Sequence, residues 1–582
     1  MSIKKILILS LTLIPLNCLA LNKAPIDITK MDIASLSEAL SNEIVDSETL
    51  VNLYLDRINT YTDYNAIISI NENAIEEAKK LDEERASGKV RSIIHGIPII
   101  VKDNIDVKGM PTTAGAKSLS DNYPNEDAKV IKKLKEAGAI IIAKSNMSEF
   151  AFQASSSRSS YGTVKNAYNP NYSSYGSSGG SAVSVALNFA VAALGTDTNS
   201  SIRVPASAAN IVGYRPTLGT ISRTGVLPYD TERDTVGTLT KNITDSIILT
   251  NIIMGYDVND NKSLNQKYPS YSLNLESLTG ITIGIPNDFL KGDNSNNLPE
   301  NKESYEEIYD LMQTAISKMV TNGAKIVYLD NYYTYTEDNL ATTSYSGYLF
   351  CDSFNSYIKN TIGKTKTFEE LAESSGKITD LSGYARSCNS SQNLSSKNAK
   401  KETYQNYLEK IYEKNNLDVI VYPTTKNKLL KVGTTGITNL SAHAASTVGF
   451  PAISMPLGFD NDNLPYGIEF MALKNEDNLL FNIAKVYENL NANEVLPKDA
   501  PNLYIIDSEV TTLLENYQSN TKILFKNKWL KEVKQYFKNY NKSYDVINEA
   551  KHLNKDFKKR LNLNYLIKAV IILLIILYLK KK

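Results

Sequence analysis

Two short apolar runs with an amphipathic segment between them constrain the fold of this 582-residue chain more than any other feature. The first run, SIIHGIPIIVKDN, is bounded by turn residues and predicts a buried strand that ends at Lys102. Residues 127–137 have the spacing of an amphipathic helix closed by Gly138, and a second strand, AIIIA, follows directly. Because strands and helices alternate, the sequence predicts an α/β sheet.

The segments on either side are less regular. Residues 31–80 are predicted to be helical, since apolar residues recur mostly every three or four positions and NENAIEEAKKLDEE has the composition of a polar helix. A stretch rich in Ser and Gly at 173–184 leads into SAVSVALNFAVAAL, which is predicted to be a helix of small residues. Residues 285–425 are more polar, rich in Tyr and Asn, and only weakly periodic.

The charge balance separates a body from a tail. Lys plus Arg and Asp plus Glu each number 63, and a net charge of zero argues against a nucleic-acid partner held by phosphate neutralisation. Residues 521–582, however, carry 15 Lys and one Arg against four acidic residues, a net charge of +12, so the rest of the chain carries −12. The basic tail favours a membrane surface or an anionic partner, with a solvated basic helix as the alternative.

Both ends suggest contact with a membrane. Residues 1–20 have the charged start, apolar stretch and small final residue of a signal peptide. Residues 563–582 are predicted to be a C-terminal hydrophobic anchor, and residues 508–562 a basic helical linker. The sequence therefore predicts an exported protein with a C-terminal transmembrane helix. Export would place Cys351 and Cys388 in an oxidising compartment, where they could pair.

Few residues are available for metal binding or for histidine catalysis. The chain has three Cys and three His, with no C-x-x-C or H-x-x-x-H spacing, so no metal site is expected. A hydrolytic base must be sought elsewhere, and Lys102 ends an apolar run, where burial would lower its pKa and free it to act as a neutral base. The alternative is an ordinary lysine at a strand end, paired with Asp103.

The Gly-Ser stretch fits a nucleophile elbow by pattern. Residues 176–180 read G-S-S-G-G and match G-x-S-x-G with Ser178 as the central residue. That motif needs a preceding strand and a later catalytic histidine, but NPNYSSY is not a strand pattern, and only His443 could serve. The alternative is a Gly/Ser loop that covers a helix N-terminus and could bind an anion.

Several sequence blocks, in order, resemble the amidase signature family. They are HGIPIIVKDN, GSSGGSAVSVA, GTDTNSSIRVPAS, GYRPTLGTISRTGVLP, DTVGTLTKNITD, VIVYPTT, STVGFPAISMPLGFD and LPYGIEF. The resemblance runs from about residue 31 to 490, with a diverged stretch at 285–410. It implies a single large α/β domain, assigned to residues 21–507, with a mixed central β-sheet covered by helices on both faces. The region of about 285–425 would then shape the substrate site.

The resemblance also implies a Ser–Ser–Lys triad that needs no metal or cofactor. Ser201 matches the nucleophile, Ser177 matches the bridging serine that follows a cis peptide, and Lys102 matches the base. The implied reaction is hydrolysis of the C–N bond of a small-molecule or peptide amide through an acyl-enzyme.

The neighbourhood of the nucleophile departs from the family pattern. The implied oxyanion hole consists of backbone N–H groups at Thr198, Asn199, Ser200 and Ser201. Asn199-Ser200 stands where the family usually has Gly-Gly, and a Cβ at Ser200 would add strain if that position required a positive φ, or would block a close approach to substrate. The implied supporting residues are Ser178, Asp197 and Arg203.

Three functions follow from these observations. The first is an exported, membrane-anchored amidase. The second is a catalytically impaired binding or scaffold protein on the same fold, because of Asn199-Ser200. The third is the glutaminase component of a tRNA-dependent amidotransferase, which the leader and the tail disfavour.

Overall fold

The computed structural model describes residues 31–43, 45–266, 268–290, 299–330, 332, 345–385, 388, 394–426, 428–434, 443–491 and 497. The predicted signal peptide, basic linker and C-terminal anchor lie outside these residues. The chain divides into two units. The first comprises Met1–Met31, Ser35–Asp46 and Pro501–Lys582, and the second comprises Asp32–Ala34 and Ser47–Ala500. In the first unit, the described residues form most of one helix.

The described strands of the second unit are β1 Ile67–Ile70, β2 Pro98–Lys102, β3 Tyr123–Pro124, β4 Ile140–Ser145, β5 Arg158–Ser159, β6 Gly162–Thr163, β7 Ala192–Asp197, β8 Val212–Arg215, β9 Thr235–Thr240, β10 Thr282–Pro286, β11 Lys325–Leu329, β12 Thr361–Ile362, β13 Val419–Pro423, β14 Ala452–Phe459 and β15 Pro465–Met471. Eleven of them form one mixed sheet, in the order β1-β4-β2-β7-β9-β8-β14-β15-β13-β10-β11. Strand β2 is parallel to both of its neighbours, β4 and β7, whereas β7 and β8 each pair antiparallel with β9.

The described helices are numbered in chain order. They are α1 Ile33–Ser41, α2 Ser47–Thr60, α3 Ala74–Ala86, α4 Lys129–Glu136, α5 Gly179–Ala186, α6 Arg203–Ala208, α7 Ile243–Ile253, α8 Asn287–Leu290, α9 Pro299–Thr321, α10 Ser346–Ile358, α11 Phe368–Glu373, α12 Ser382–Ala385, α13 Ser395–Asn415, α14 His443–Val448 and α15 Asp477–Leu490. Short 3₁₀ helices lie at Thr62–Tyr64, Lys117–Leu119 and Glu149–Ala151.

The sheet has helices on both faces, as β13 shows. Val419 and Val421 belong to one buried cluster, which also contains residues of α9 and α15. Ile420 and Tyr422 point the other way, into a cluster with residues of α13 and α14. Alternate residues of a strand face opposite sides of a sheet, so a strand buried on both sides is apolar throughout. The predicted α/β fold with a mixed sheet covered on both faces is therefore confirmed.

The local predictions have mixed outcomes. Strand β2 ends at Lys102 as predicted, and α4 and β4 lie where the amphipathic segment and the AIIIA strand were predicted. The predicted helix over residues 181–194 is too long: α5 ends at Ala186, Asn188 has a positive φ of 57°, and β7 begins at Ala192. The predicted helical region 31–80 also contains a strand, β1. Apolar runs of this length do not distinguish a buried strand from a buried helix.

Candidate active site

Lys102 lies at the carboxyl end of β2, in the interior of the sheet. Its side chain is fully buried, and its Nζ donates to Ser177 Oγ at 2.6 Å and to Thr196 Oγ1 at 2.8 Å. Burial lowers the pKa of Lys102 to about 7, against the opposing charges of Asp197 and Asp234. A lysine with that pKa is substantially neutral at neutral pH, which is the form that can accept a proton.

The alternative in which Lys102 pairs with its neighbour Asp103 does not describe this site. Asp103 Oδ1 forms an ion pair with Lys144 Nζ at 3.5 Å, and both side chains are fully buried. Asp103 Oδ2 accepts hydrogen bonds from the backbone N–H and the hydroxyl of Thr113. Asp103 therefore holds the loop after β2, and the Lys102 amine points to hydroxyl groups.

Ser177 lies in a tight turn at the start of α5. The Gly176–Ser177 peptide bond is cis, as the resemblance implies. The Gly176 N–H donates to the Ala154 carbonyl at 2.8 Å, and a Cβ at Gly176 would lie 2.5 Å from the Gln153 carbonyl oxygen, so only glycine fits here. The Ser148 N–H donates to the Ser177 carbonyl at 3.1 Å. Backbone hydrogen bonds thus hold the turn that carries the Ser177 hydroxyl on both sides of the cis peptide bond.

Ser201 lies in the loop between β7 and α6, close to the same turn. The Ser178 N–H donates to the Ser201 carbonyl at 3.1 Å, and the Ser201 side chain is almost fully buried. Within the described residues, the backbone N–H groups from 198 to 201 donate no hydrogen bond to another protein group. Unpaired backbone donors in a buried loop are what an oxyanion hole requires.

Ser200 is accommodated without a left-handed backbone. Neither Asn199 nor Ser200 is among the described non-glycine residues that have a positive φ. The Ser200 side chain is fully buried, and its carbonyl accepts the Val204 N–H at 2.9 Å, which places it at the start of α6. The backbone strain that a positive φ would have caused at Ser200 is therefore absent.

Asp197 and Arg203 lie in a buried cluster of four charges. Asp197 pairs with Arg203 at 3.2 Å and with Arg215 at 2.9 Å, and Arg203 also pairs with Glu469 of β15. Burial opposes ionisation of Asp197, but the two arginines hold its pKa well below its usual range.

The same cluster holds the loop that carries Ser201. Asp197 Oδ2 accepts the Ile202 N–H at 3.1 Å, and Arg203 donates to the Asn199 carbonyl at 2.6 Å. Two members of the cluster, Asp197 and Arg203, thus hold the backbone on both sides of Ser201.

Ser178 does not have the surroundings of an elbow nucleophile. It is fully buried, and its hydroxyl donates to the Thr196 carbonyl at 3.1 Å. His443 begins α14, and burial together with Arg233 and Arg203 lowers its pKa to about 3. The Ser178 hydroxyl therefore links the turn to Thr196 of β7.

Sequence reasoning missed the partners of the candidate catalytic groups. Thr196 contacts Lys102. The one sequence feature that could have indicated this contact is the position of Thr196 directly before Asp197 in the GTDTNSS block. Asp234 accepts a hydrogen bond from the Thr198 hydroxyl at 2.5 Å, although 36 residues separate the two. Burial, and then the charge of Asp230, raise the pKa of Asp234 to about 6. Nothing in the spacing of the blocks indicates that contact.

Among the described residues, one group of three side chains could approach a metal ion: Cys351, Glu369 and Cys388. Two of them are joined in a disulfide, with their Cα atoms 5.3 Å apart, so their sulfurs are not free to bind a metal. The pairing that the sequence left open for an exported protein is present in this structure.

A family model described as Amidase matches residues 49–481. This chain belongs to the amidase signature family. It is 34% identical over 439 residues to a glutamyl-tRNA(Gln) amidotransferase subunit from Trichodesmium erythraeum (strain IMS101), and the match covers 72% of this chain and 89% of that protein.

Two solved structures have a similar fold. The native peptide amidase from Stenotrophomonas maltophilia has a TM-score of 0.72 at 27% identity, covering 80% of this chain and 98% of that chain. An amidase family protein from Bacillus anthracis str. Ames has a TM-score of 0.70 at 29% identity, covering 81% and 93%. The protein is thus a hydrolase of the amidase family that acts on amide C–N bonds.

The prediction of an exported protein anchored in a membrane is wrong. Relatives that match 72–79% of this chain are glutamyl-tRNA(Gln) amidotransferase subunits. In the part of the chain that the structure describes, no helix has both the length and the apolar character needed to cross a bilayer. The prediction depended on short apolar runs; the 15 residues before the final lysines would span about 22 Å as a helix, less than the ~30 Å hydrocarbon core.

Proposed function

We propose that this protein hydrolyses carboxamides with Ser201 as nucleophile, Ser177 as proton relay and Lys102 as base. The observation that carries the proposal is the 2.6 Å contact from Lys102 Nζ to Ser177 Oγ, made by a fully buried lysine whose pKa burial lowers to about 7. A buried amine beside a hydroxyl is a proton acceptor poised at neutral pH.

In the first half of the reaction, neutral Lys102 takes the proton of Ser177, and Ser177 takes that of Ser201. The Ser201 oxygen attacks the amide carbonyl carbon and forms a tetrahedral oxyanion. As the C–N bond breaks, the relay returns the proton to the leaving nitrogen, which departs as ammonia or an amine. An acyl-enzyme ester on Ser201 remains.

In the second half, a water molecule replaces the amine. Its proton passes through Ser177 to Lys102 as its oxygen attacks the ester carbonyl. Collapse of the second tetrahedral intermediate breaks the ester bond, returns the proton to Ser201 and releases the carboxylic acid. Both oxyanions would be stabilised by the backbone N–H groups of residues 198–201, which donate to no other group within the described part of the chain; one such donor is typically worth ~10²–10³ in rate.

The same triad would serve a second candidate function, that of the glutaminase component of a tRNA-dependent amidotransferase. The observation that favours it is the match to glutamyl-tRNA(Gln) amidotransferase subunits at 31–34% identity over 72–81% of this chain. The sequence argued against this second function only because it predicted export, and that prediction is wrong. The scaffold alternative is weakened, because Ser200 has an unstrained backbone.

Ammonia release from purified full-length protein tests the proposal. The substrates are acetamide, phenylacetamide and glutamine, and the variants are Ser201→Ala and Lys102→Met, with the exposed Ser375→Ala as the matched control. We expect turnover by the wild type and by Ser375→Ala, and a loss of at least ~10³-fold in the other two. Equal turnover by all four proteins would overturn the proposed roles.

The two candidate functions differ in what the isolated chain can do. An independent amidase releases ammonia from simple carboxamides without a partner. A glutaminase component hydrolyses glutamine as one subunit of a transamidating complex that acts on charged tRNA. Robust acetamide or phenylacetamide turnover by the isolated protein would exclude the second function as its main role.

A further inference from the structure

Three half-buried aromatic rings from separate segments of the chain meet around one of them, Phe152. Phe152 follows the 3₁₀ helix at Glu149–Ala151, Tyr229 precedes β9, and Tyr384 belongs to α12. The centroid of Phe152 lies 4.8 Å from those of Tyr229 and Tyr384, with interplanar angles of 40° and 30°. All three rings pack on the fully buried Phe350 of α10. Each ring thus has one side on the core and part of its surface exposed.

Two of these rings belong to segments that hold the candidate catalytic groups. Two residues after Phe152, the Ala154 carbonyl accepts the Gly176 N–H of the turn that carries Ser177. The Tyr229 N–H donates to Asp234 at 2.8 Å, and the other oxygen of Asp234 accepts the Thr198 hydroxyl. Phe152 and Tyr229 thus belong to segments that contact the Ser177 turn and, through Asp234, the Ser201 loop.

The third ring is held differently. Tyr384 lies on the four-residue α12, none of whose residues is buried, within the stretch that diverges from the family pattern. On one side Leu381 anchors this helix in the core, and on the other Cys388 is bonded to Cys351 of α10, 37 residues earlier in the chain. The disulfide is thus the covalent link that keeps Tyr384 on Phe152 and Phe350.

We propose that Tyr384, positioned by the Cys351–Cys388 disulfide, is a specificity-determining residue that completes an aromatic subsite with Phe152 and Tyr229. The subsite binds an aromatic ring on the acyl side of the amide substrate. Half-buried rings that are tilted against one another can accept a further ring in an offset or edge-to-face arrangement. The inference depends on the proposed amidase function, whose substrate class it names.

The subsite is also sensitive to reduction. A dithiol such as dithiothreitol supplies two electrons and two protons, becomes a cyclic disulfide itself and leaves Cys351 and Cys388 as free thiols. Reduction releases the covalent tether on α12 and weakens the position of Tyr384. The preference for aromatic amides therefore falls when the disulfide is opened.

The test compares kcat/KM for phenylacetamide with kcat/KM for acetamide in the full-length protein. We expect Tyr384→Ala to lower this ratio about tenfold, the scale of one lost aromatic contact, and Tyr384→Phe to keep it. The double variant Cys351→Ser/Cys388→Ser should lower the ratio by a similar factor. The control is Tyr328→Ala, on the outer edge strand β11, which should leave the ratio unchanged.

Reduction provides an internal control, because Cys18 is the only other cysteine. Dithiothreitol should lower the ratio in the wild type and have no effect in the double cysteine variant. An unchanged ratio in Tyr384→Ala, or equal losses on both amides, overturns the subsite and leaves the proposed function standing. No turnover of either amide and no fluorophosphonate labelling of Ser201 in the wild type overturns both.

Discussion

At the scale of single residues, the proposed chemistry depends on Lys102 being both buried and uncharged. An exposed lysine is protonated at neutral pH and cannot act as a base. Lys102 avoids this because it ends a strand in the middle of the sheet, where the charged form is poorly solvated. Its hydrogen-bond partners are hydroxyl groups of Ser177 and Thr196, which neutral and charged amines both tolerate.

The pH dependence of turnover follows from this burial. Because the pKa of Lys102 is lowered to about 7, the neutral base forms as the pH rises through that value. We expect kcat/KM for acetamide to rise tenfold per pH unit below about pH 7 and to level off above it. A profile of kcat/KM from pH 5 to 9 measures this rise, the acid limb of the profile. An acid limb that instead follows a pKa near the ordinary lysine value of ~10.4 would contradict the role of Lys102 as the base.

Asp234 offers a test of the electrostatics around Lys102. Its negative charge raises the pKa of Lys102, so Asp234→Asn should move the acid limb of kcat/KM to lower pH. Thr198→Val removes a hydrogen bond to Asp234 but keeps its carboxyl group, and should move the limb less than Asp234→Asn does. Comparing the pH profiles of the two variants separates the effect of the Asp234 charge from the effect of its hydrogen bond with Thr198. Equal shifts in both would show that the charge is not responsible.

The departure at Ser200 has a predicted outcome as well. Because Ser200 does not have a positive φ, glycine relieves no backbone strain there. We expect Ser200→Gly to change kcat by less than about threefold, well below the ~10²-fold cost of losing one oxyanion donor. Steady-state kinetics on acetamide measures it. A gain of a hundredfold or more would show that the natural serine impairs the site.

At the scale of elements, the candidate site is assembled where β2 and β7 end side by side. The two strands are parallel, so their carboxyl ends lie at one edge of the sheet. The buried cluster of Asp197, Arg203, Arg215 and Glu469 then links β7, α6, β8 and β15. Removing one member of such a cluster leaves the remaining charges buried without compensation.

We therefore expect Asp197→Asn to destabilise the protein strongly. It leaves Arg203 and Arg215 buried with one fewer counter-charge, which typically costs about 3–5 kcal/mol of unfolding free energy. Urea denaturation followed by circular dichroism measures the change. Lys80→Gln, which breaks an exposed ion pair with Glu76, is the control and should have little effect. Equal small effects in both variants would contradict a structural role for the cluster.

The helices and strands differ in how well their bounds could be predicted from the sequence. The strand ending at Lys102 is bounded by turn residues, so its end was predictable. The run from α5 into β7 is apolar throughout because both elements are buried, and periodicity could not separate them. The ordered blocks pointed to Lys102, Ser177 and Ser201, whereas Asp234 and Glu469 reach the site only through tertiary contacts.

At the scale of the whole molecule, the candidate site and nearly all of the buried clusters described here lie within the part of the chain that the family model matches. The buried clusters on the two faces of the sheet draw on residues 212–487, and the family match covers residues 49–481. The net charge of zero hides a basic tail outside this region. The failed prediction of localisation came from apolar runs at the two ends, not from the body of the chain.

Removal of the tail should consequently leave catalysis intact. We expect a variant that lacks residues 508–582 to hydrolyse acetamide with a kcat/KM within about threefold of the full chain, since every proposed catalytic residue lies between 102 and 201. Parallel ammonia assays of the two proteins at equal concentration measure this. A loss of a hundredfold with an intact far-ultraviolet dichroism spectrum would show that the tail contributes to the site.

The central claim is that Ser201 is a nucleophile activated through Ser177 and Lys102. Its most direct test is labelling with a fluorophosphonate, followed by mass spectrometry of the proteolysed protein. We predict one modified peptide, with the label on Ser201, no label in Ser201→Ala, and labelling slowed by at least ~10²-fold in Lys102→Met. A label on Ser178, or labelling that persists in Ser201→Ala, would contradict the claim.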